Sequence, residues 1–398
     1  MLNVAMKMLK GDRAKYVGLL FGITFTSFLV TFAGSYFCGF MTRGFALISD
    51  NPAADVWVMD PAVDSAEVTT NLPDSALPRV RSVEGVLSAA PLALATTDAR
   101  FPNGRFQSFQ LIGVDDATLS GLPPLQGGVS PAMLRTPDAV AVDSGGTDGK
   151  LETPTMPADQ WPYGQPHLNV PTRELAAGDE LLVNDHRVMV RGRTNAVHRF
   201  PPRPLMYTTL SNARRILLPE RHLLTFVLAR AAPGVSPREL AARIQAQTGL
   251  RARSSDDFIS DTVYWILINS EDVGDMASMI SIAMCVGFGV TGVMLYMFTR
   301  EALKQYAVLK AMGADSRMLL SMIFVQTGLC ALLGTGLGLG LCAIVGQIAI
   351  WKFDYPFRMM WFTPVIGGLS VLLVSLVAAA ISARPVLKLE PGVVFGGR

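Results

Sequence analysis

The stretch YVGLLFGITFTSFLVTFAGSYFCGFMT, residues Tyr16–Thr42, holds 27 positions without one Asp, Glu, Lys, Arg or His. A helix needs about 20 apolar residues to cross the ~30 Å hydrocarbon of a bilayer, so this run suffices for a span. Three more charge-free runs follow: Met276–Thr299 (24 residues), Met318–Trp351 (34) and Met359–Ala383 (25). Charged residues make up 17% of the 398-residue chain, below the usual share of about 25%, and the deficit lies in these four runs. A buried soluble helix of such length without a charge is rare, which predicts four membrane-spanning helices. The third run exceeds one crossing, so part of it projects beyond the bilayer or tilts.

The first run follows Lys7, Lys10, Arg13 and Lys15, as a signal peptide would. Signal cores are about 7–15 residues long and end at a small-residue cleavage site. This run is far longer, and Phe37-Cys38-Gly39-Phe40-Met41 offers no such site. It reads as an uncleaved span. Lys and Arg gather before it, again at Arg300, Lys304, Lys310 and Arg317, and again at Arg384, Lys388 and Arg398. Cytoplasmic loops carry that excess, which places both termini and the loop at 300–317 in the cytoplasm. Lys352 and Arg358 lie on the opposite side, a small departure. The net charge of +2 makes no case for a nucleic-acid partner.

The expected organisation is a cytoplasmic amphipathic helix (1–15, with Leu2, Met6 and Leu9 on one face), a span (16–42), and a large extracytoplasmic domain (43–275). A second span (276–299), a cytoplasmic loop (300–317), a third span (318–351), a short outer loop (352–358), a fourth span (359–383) and a cytoplasmic tail (384–398) complete it. All four cysteines, Cys38, Cys285, Cys330 and Cys342, fall in spans, so the outer domain must cohere through its own core.

Within that domain Asp55–Met59 reads as a strand and Ala76–Ser82 as a short helix. Leu87–Thr97 and Phe106–Val114 read as a hairpin about Asn103-Gly104. Residues 120–175 are Pro-, Gly- and Asp-rich, with one short strand at Val140–Val142. A second hairpin turns at Asn184-Asp185. Strand Leu223–Arg230, a helix opened by Ser236-Pro237-Arg238-Glu239 as a capping box, and strand Leu250–Arg253 make a closing strand–helix–strand piece. A helix after Asp256 leads toward the second span. The class is α+β: four transmembrane helices with a mixed outer domain, two strand–helix–strand pieces flanking a β-rich insertion.

Enzymatic signals are weak. Gly145-Gly146-Thr147-Asp148-Gly149-Lys150 is one residue short of a phosphate loop, and Leu151 stands where Ser or Thr would ligate Mg. His167, His186, His198 and His222 share no metal-ligand spacing, and no G-x-S-x-G is present. The Arg-rich stretch Arg187, Arg191, Arg193 reads as a solvated strand face. No Asp, Glu, Lys, Arg or His lies in a span, which argues against an ion-coupled carrier. Gly334, Gly338 and Gly346 in the third span form small-residue positions suited to close helix packing, against another span or a second copy.

The loop at 300–317 is the most telling segment. Leu303, Tyr306, Ala307 and Lys310 recur at helical spacing, and Gly313 suits the position just past a helix end. A short amphipathic helix between spans is either a docking element or an interfacial anchor.

Tyr306-Ala307-Val308-Leu309-Lys310-Ala311-Met312-Gly313-Ala314 resembles the coupling segment of FtsX-like, MacB-type ABC exporter permeases. Gly178-Asp179-Glu180-Leu181 with Val190-Arg191-Gly192, the Gly113-Val114-Asp115 strand end, and the tail Pro385–Phe395 resemble further family patterns. Leu309–Gly313, Leu389-Glu390-Pro391 with Val394-Phe395, and Tyr264-Trp265 look closest to the DevC branch. The resemblance implies an ATPase-coupling role for Leu303, Tyr306, Ala307, Leu309, Lys310, Ala311, Met312, Gly313 and Ala314. It implies a homodimer in a bacterial inner membrane, working with a separate ATPase dimer that binds ATP and Mg, so that this chain itself carries no cofactor. It further implies ferredoxin-like halves in the outer domain, a HlyD-like periplasmic adaptor, a TolC-like channel and an amphiphilic cargo. Gln305 stands where the family often has Glu, which removes one expected salt bridge to the ATPase. The alternative is an FtsX-like signalling subunit that acts on an outer partner without moving cargo. A sensor kinase is excluded because the cytoplasmic segments are too short for a catalytic domain.

Overall fold

A computed structural model describes residues 13–155, 166–218 and 224–387. The amphipathic segment 1–12, His222 and the tail from 388 onward lie outside the described residues. The chain divides into two compact units, Met1–Phe40 with Ser270–Arg398, and Met41–Asn269.

Among the described residues of the first unit, four helices are long and apolar enough to cross a membrane. They are α1 (Arg13–Gly44), α7 (Glu271–Glu301), α9 (Ser316–Phe353) and α10 (Phe362–Ser382), with the short α8 (Leu303–Ala311) between the middle pair. Lipid tails are as apolar as leucine, so such helices associate through close packing rather than hydrophobic burial. Here α1 is the hub. Glycines on each of its three neighbours face it: Gly287 of α7 at Thr26, Gly334 and Gly338 of α9 at Ile23 and Ser27, and Gly367 of α10 at Thr31. Ser27 donates to the Thr335 carbonyl at 3.3 Å. At 38 residues α9 is about 57 Å long, so it overreaches the hydrocarbon as its sequence length implies. The loop after it turns back on α1. Tyr355 stacks on Tyr36 at 4.8 Å and Phe357 lies 5.4 Å from Phe32, while Trp351 and Trp361 stand 85% and 81% exposed. Exposed tryptophans at helix ends form an interfacial belt.

The second unit holds the short α2 (Ala46–Ser49), β1 (Val56–Met59), α3 (Ala76–Arg81), β2 (Val86–Arg100), β3 (Phe106–Val114), β4 (Ala139–Asp143), β5 (Glu152–Pro154) and β6 (Thr172–Glu174). It continues with β7 (Glu180–Val183), β8 (His186–Arg193), β9 (Leu205–Thr209), α4 (Leu210–Ile216), β10 (Phe226–Ala231), α5 (Pro237–Thr248), β11 (Arg251–Ser254) and α6 (Ser255–Asn269). The large sheet runs β11-β1-β10-β2-β3-β9-β4-β8-β7.

Its first four strands are antiparallel neighbours, and α3 and α5 share one face. Counted along the chain, that is strand order 4-1-3-2, a ferredoxin-like arrangement. The two strand–helix–strand pieces therefore interleave into one layer instead of forming separate halves. Strand β1 is buried on both sides, as its continuous Val-Trp-Val-Met requires. Val56 and Val58 pack with Leu240 and Ile244 of α5. Trp57 meets Phe226 edge-on at 5.3 Å and Phe258 of α6 at 5.7 Å.

Strand β2, 15 residues long, is the shared spine. Its first half pairs with β10 and its second with β3, across the hairpin at Asn103-Gly104. From there the strands continue to β7, which returns to β2 through Ala99↔Val183 and Arg100↔Leu182. The β-rich insertion is thus a closed six-stranded barrel around Phe101, Phe109, Val140, Val190 and Met206. Closure pairs strands that would otherwise be edges open to unwanted pairing. The β7–β8 turn is the tight hairpin expected, with Asn184 and Asp185 both at positive φ (47° and 64°), as a I′ turn demands. The capping box does not form. Ser236 caps α5 without a side-chain hydrogen bond, and Glu239 pairs with Arg243 one turn on instead of reaching back.

Candidate functional site

Helix α7 ends at Ala302, whose amide reaches the Phe298 carbonyl, and α8 begins at the next residue. One face of α8 is built into the bundle. Ala302, Tyr306 and Ala307 are buried, and Leu303, Leu309 and Ala314 pack partly buried against a cluster of Leu295, Phe298, Leu319, Ile323, Ala379 and Ala383. Tyr306 is wholly enclosed, and its hydroxyl donates to Gln326 Oε1 of α9 at 3.2 Å. Burial pushes the phenol up to about 12, so it stays a neutral donor.

The opposite face is open. Lys304, Gln305, Val308, Ala311, Met312 and Gly313 are exposed, with Val308 at 43% and Met312 at 71%. Lys304, Val308, Ala311 and Met312 follow one another at i, i+4, i+7 and i+8, one stripe of a helix. An apolar stripe on a nine-residue helix, edged by Lys304 and ended at Gly313, is thus left exposed.

The C-terminus is a Schellman motif. The Ala314 amide reaches the Leu309 carbonyl at 3.0 Å and the Gly313 amide reaches Lys310 at 3.1 Å, with Gly313 at φ +96°. Asp315 then caps α9, its side chain accepting from Ser316 N at 2.7 Å. Four cations (Arg300, Lys304, Lys310, Arg317) against two anions (Glu301, Asp315) leave this stretch at +2. Arg300 also lies over the Tyr296 ring, 5.5 Å from its centroid.

The nine residues named from the sequence therefore divide. Ala311 and Met312 face outward and Gly313 aims the turn. Tyr306 and Ala307 face inward and seat the helix, while Leu303, Leu309 and Ala314 line its edge against the bundle. Lys310 is half-buried at the last turn. Val308, quoted within the motif but not singled out, belongs to the exposed stripe. Gln326 was missed altogether. A long amide in an otherwise apolar run is a signal, because it requires a partner in the membrane.

The packing glycines are spent inside the chain. A Cβ at Gly338 would sit 2.6 Å from Ser27 Cβ, one at Gly334 2.8 Å from Ile23 Cγ2, and one at Gly346 would strike the Phe357 ring. None of the three is therefore an open surface for a second copy. The Gly145–Lys150 segment is a turn whose Lys150 carbonyl accepts from Arg105 at 2.7 Å. Of the three further family-like patterns, the two in the outer unit are structural punctuation. Asp115 caps its own turn by accepting from Thr118 N and Oγ1. Asp179 takes both Arg173 nitrogens (2.8 and 2.5 Å) and the Ala176 amide (2.7 Å). Arg187, 83% exposed, and Arg193 pair with Glu180 and Glu174 on the barrel surface. Among the described residues no three His, Cys, Asp or Glu side chains gather as a metal site would need.

Residues 277–391 match the family model described as the FtsX-like permease C-terminal domain. An uncharacterized ABC transporter permease of Mycobacterium tuberculosis is 22% identical over 323 residues, covering 81% of this chain and 78% of that protein. Its Mycobacterium bovis counterpart gives the same values. Among solved structures, the periplasmic region of MacB from Actinobacillus actinomycetemcomitans aligns with TM-score 0.35 and 12% identity, over 57% of this chain and 96% of that one. The extracellular domain of YknZ from Gram-positive bacteria aligns with TM-score 0.33 and 13% identity, over 50% and 98%.

Proposed function

We propose that this chain, an FtsX-like ABC transporter permease with the one-plus-three span layout of the MacB type, is the membrane subunit of a mechanotransmission exporter. The observation that carries the reading is α8: a helix seated by Tyr306 and Ala307 in the bundle, with Val308, Ala311 and Met312 open to a partner. The partner is a separate ATPase dimer, which binds ATP and Mg. Its closure displaces α8 and, through α8, the helices into which Tyr306 is locked. Two covalent routes lead from the bundle to the outer unit, along α1 and through Ser270 between α6 and α7.

The permease works as a homodimer in a bacterial inner membrane, with α8 and both termini in the cytoplasm, as the Lys and Arg distribution supports. The outer unit serves a HlyD-like adaptor and a TolC-like channel, and the cargo is lipid-like, as the DevC resemblance implies. Purification of the tagged chain from its native membranes, with identification of bound proteins and lipids, tests the reading. Recovery of an ATPase, an adaptor and an amphiphile supports it. An ATPase with neither adaptor nor channel would favour the signalling subunit instead, and a chain that hydrolyses ATP unaided would overturn the division of labour.

A further inference from the structure

Asp50 directly follows α2, six residues beyond the end of α1, and Arg199 lies in the loop from β8 to β9 of the barrel. Asp50 Oδ2 is 2.8 Å from Arg199 Nη2, and the two side chains are 5% and 4% exposed. Burial holds the Asp50 carboxyl above its ordinary value, and Arg199 and the Val197 amide offset this only in part. Taking two charges out of water costs several kcal/mol each, and apolar residues of similar volume often replace such a pair without loss of stability. The pair is therefore poorly explained as a stabilising contact.

Its surroundings suggest what else it does. Asp50 Oδ1 accepts from Val197 N at 2.9 Å. Asp143, at the end of β4, accepts from Thr194 Oγ1 (3.1 Å), Ala196 N (3.0 Å) and Gly145 N (2.9 Å). Arg199 Nη2 donates to the hydroxyl of Tyr207, on β9, at 3.2 Å, and its backbone amide to the Gly145 carbonyl at 3.1 Å. Residues 194–199 are thus slung between the segment leaving the first span and the end of the barrel. Arg199 Nε and Nη1, both buried, lack hydrogen-bond partners, so this joint holds donors that a small rotation could satisfy.

We infer that Asp50 and Arg199 are positioning residues of the transport cycle: the charged joint through which displacement of α2 is delivered, in fixed register, to the barrel. The inference rests on the exporter reading above. Apolar side chains would fill the same space but would set no direction for the loop, whereas the ion pair and the Asp50–Val197 bond do.

The test is hydrogen exchange on the full complex with its copurified ATPase, with and without a non-hydrolysable ATP analogue. In wild type, nucleotide should change protection across 194–199 by at least about fivefold, the lower end of ordinary coupling between sites. The double variant Asp50→Leu with Arg199→Met should assemble and hydrolyse ATP at the basal rate, yet lose that response. Arg199→Lys, which keeps the cation, should retain most of it, and serves if the double variant does not fold. A double variant responding like wild type, a wild-type loop blind to nucleotide, or an Arg199→Lys protein that assembles without responding would each overturn the joint and leave the exporter reading standing. Absence of any copurifying ATPase would overturn both.

Discussion

Substitution of Gly313 isolates the aim of α8 from its packing. A Cβ there meets nothing within 4 Å, so the whole penalty is conformational. At φ +96° an L-residue is strained by about 1–2 kcal/mol, and escape to negative φ breaks the Ala314–Leu309 and Gly313–Lys310 bonds that close the helix. Since about 1.4 kcal/mol is a factor of ten in an equilibrium constant, Gly313→Ala should lower the population of correctly aimed α8 roughly 5- to 30-fold relative to glycine. Gly313→Val should do worse, because a β-branched side chain crowds the backbone further at positive φ. Gly313→Asn, whose side chain tolerates the left-handed region, should stay near wild type. The assay is ATP hydrolysis by the complex assembled with each variant, together with the amount of ATPase recovered. The order Gly, Asn, Ala, Val is expected, with membrane insertion unchanged throughout because no span is touched. Equal activity for Asn and Val would refute the argument, since it would show that the Schellman turn does not aim anything.

Gly338→Leu forces a side chain into Ser27 and the Thr24 carbonyl, so thermal unfolding in detergent should show a loss of about 1–3 kcal/mol or more, while Gly340→Leu, which meets nothing, should be neutral. Tyr306→Phe removes the donor to Gln326 at unchanged volume; it should cost about 0.5–1.5 kcal/mol and lower ATPase recovery without abolishing it, as titration of complex assembly would measure. For Asp179, burial pushes the carboxyl up, but Arg173 and the Ala176 amide outweigh it and leave the group below its ordinary value. A depressed carboxyl adds stability above its unfolded value, about 3.9, and loses it as pH falls through the folded value. Asp179→Asn should therefore destabilise the protein at neutral pH and match wild type in acid, by chemical denaturation at both pH values.

The spans were legible because charge is so costly in hydrocarbon that its absence over 24 or more residues has few other causes. Both hairpins were legible because Gly104, after Asn103, and the Asn184-Asp185 pair carry the positive φ that tight turns need. Strand β9 was not, since Leu205–Thr209 is buried throughout and shows no alternation, and Pro201, Pro202 and Pro204 before it read as a loop. Its parallel pairing with β3 is set by barrel closure, which no local signal encodes. The interleaving of the two strand–helix–strand pieces is likewise a matter of long-range register. At the site, helical spacing placed Tyr306, Ala307 and Lys310 near one another but did not say which edge faces inward. A tyrosine suits either side, and the partner that decides it, Gln326, lies twenty residues on.

On the proposed function, the open stripe of α8 docks on an ATP-binding subunit. A photoreactive side chain at Met312, 71% exposed, irradiated in native membranes, tests it most directly, with the same probe at lipid-facing Leu337 as control. A covalent adduct between position 312 and an ATP-binding protein is expected, lost when Gly313→Val is added, with lipid adducts alone from position 337. Lipid adducts alone from position 312 as well would contradict it, because α8 would then be an interfacial anchor and not a coupling helix.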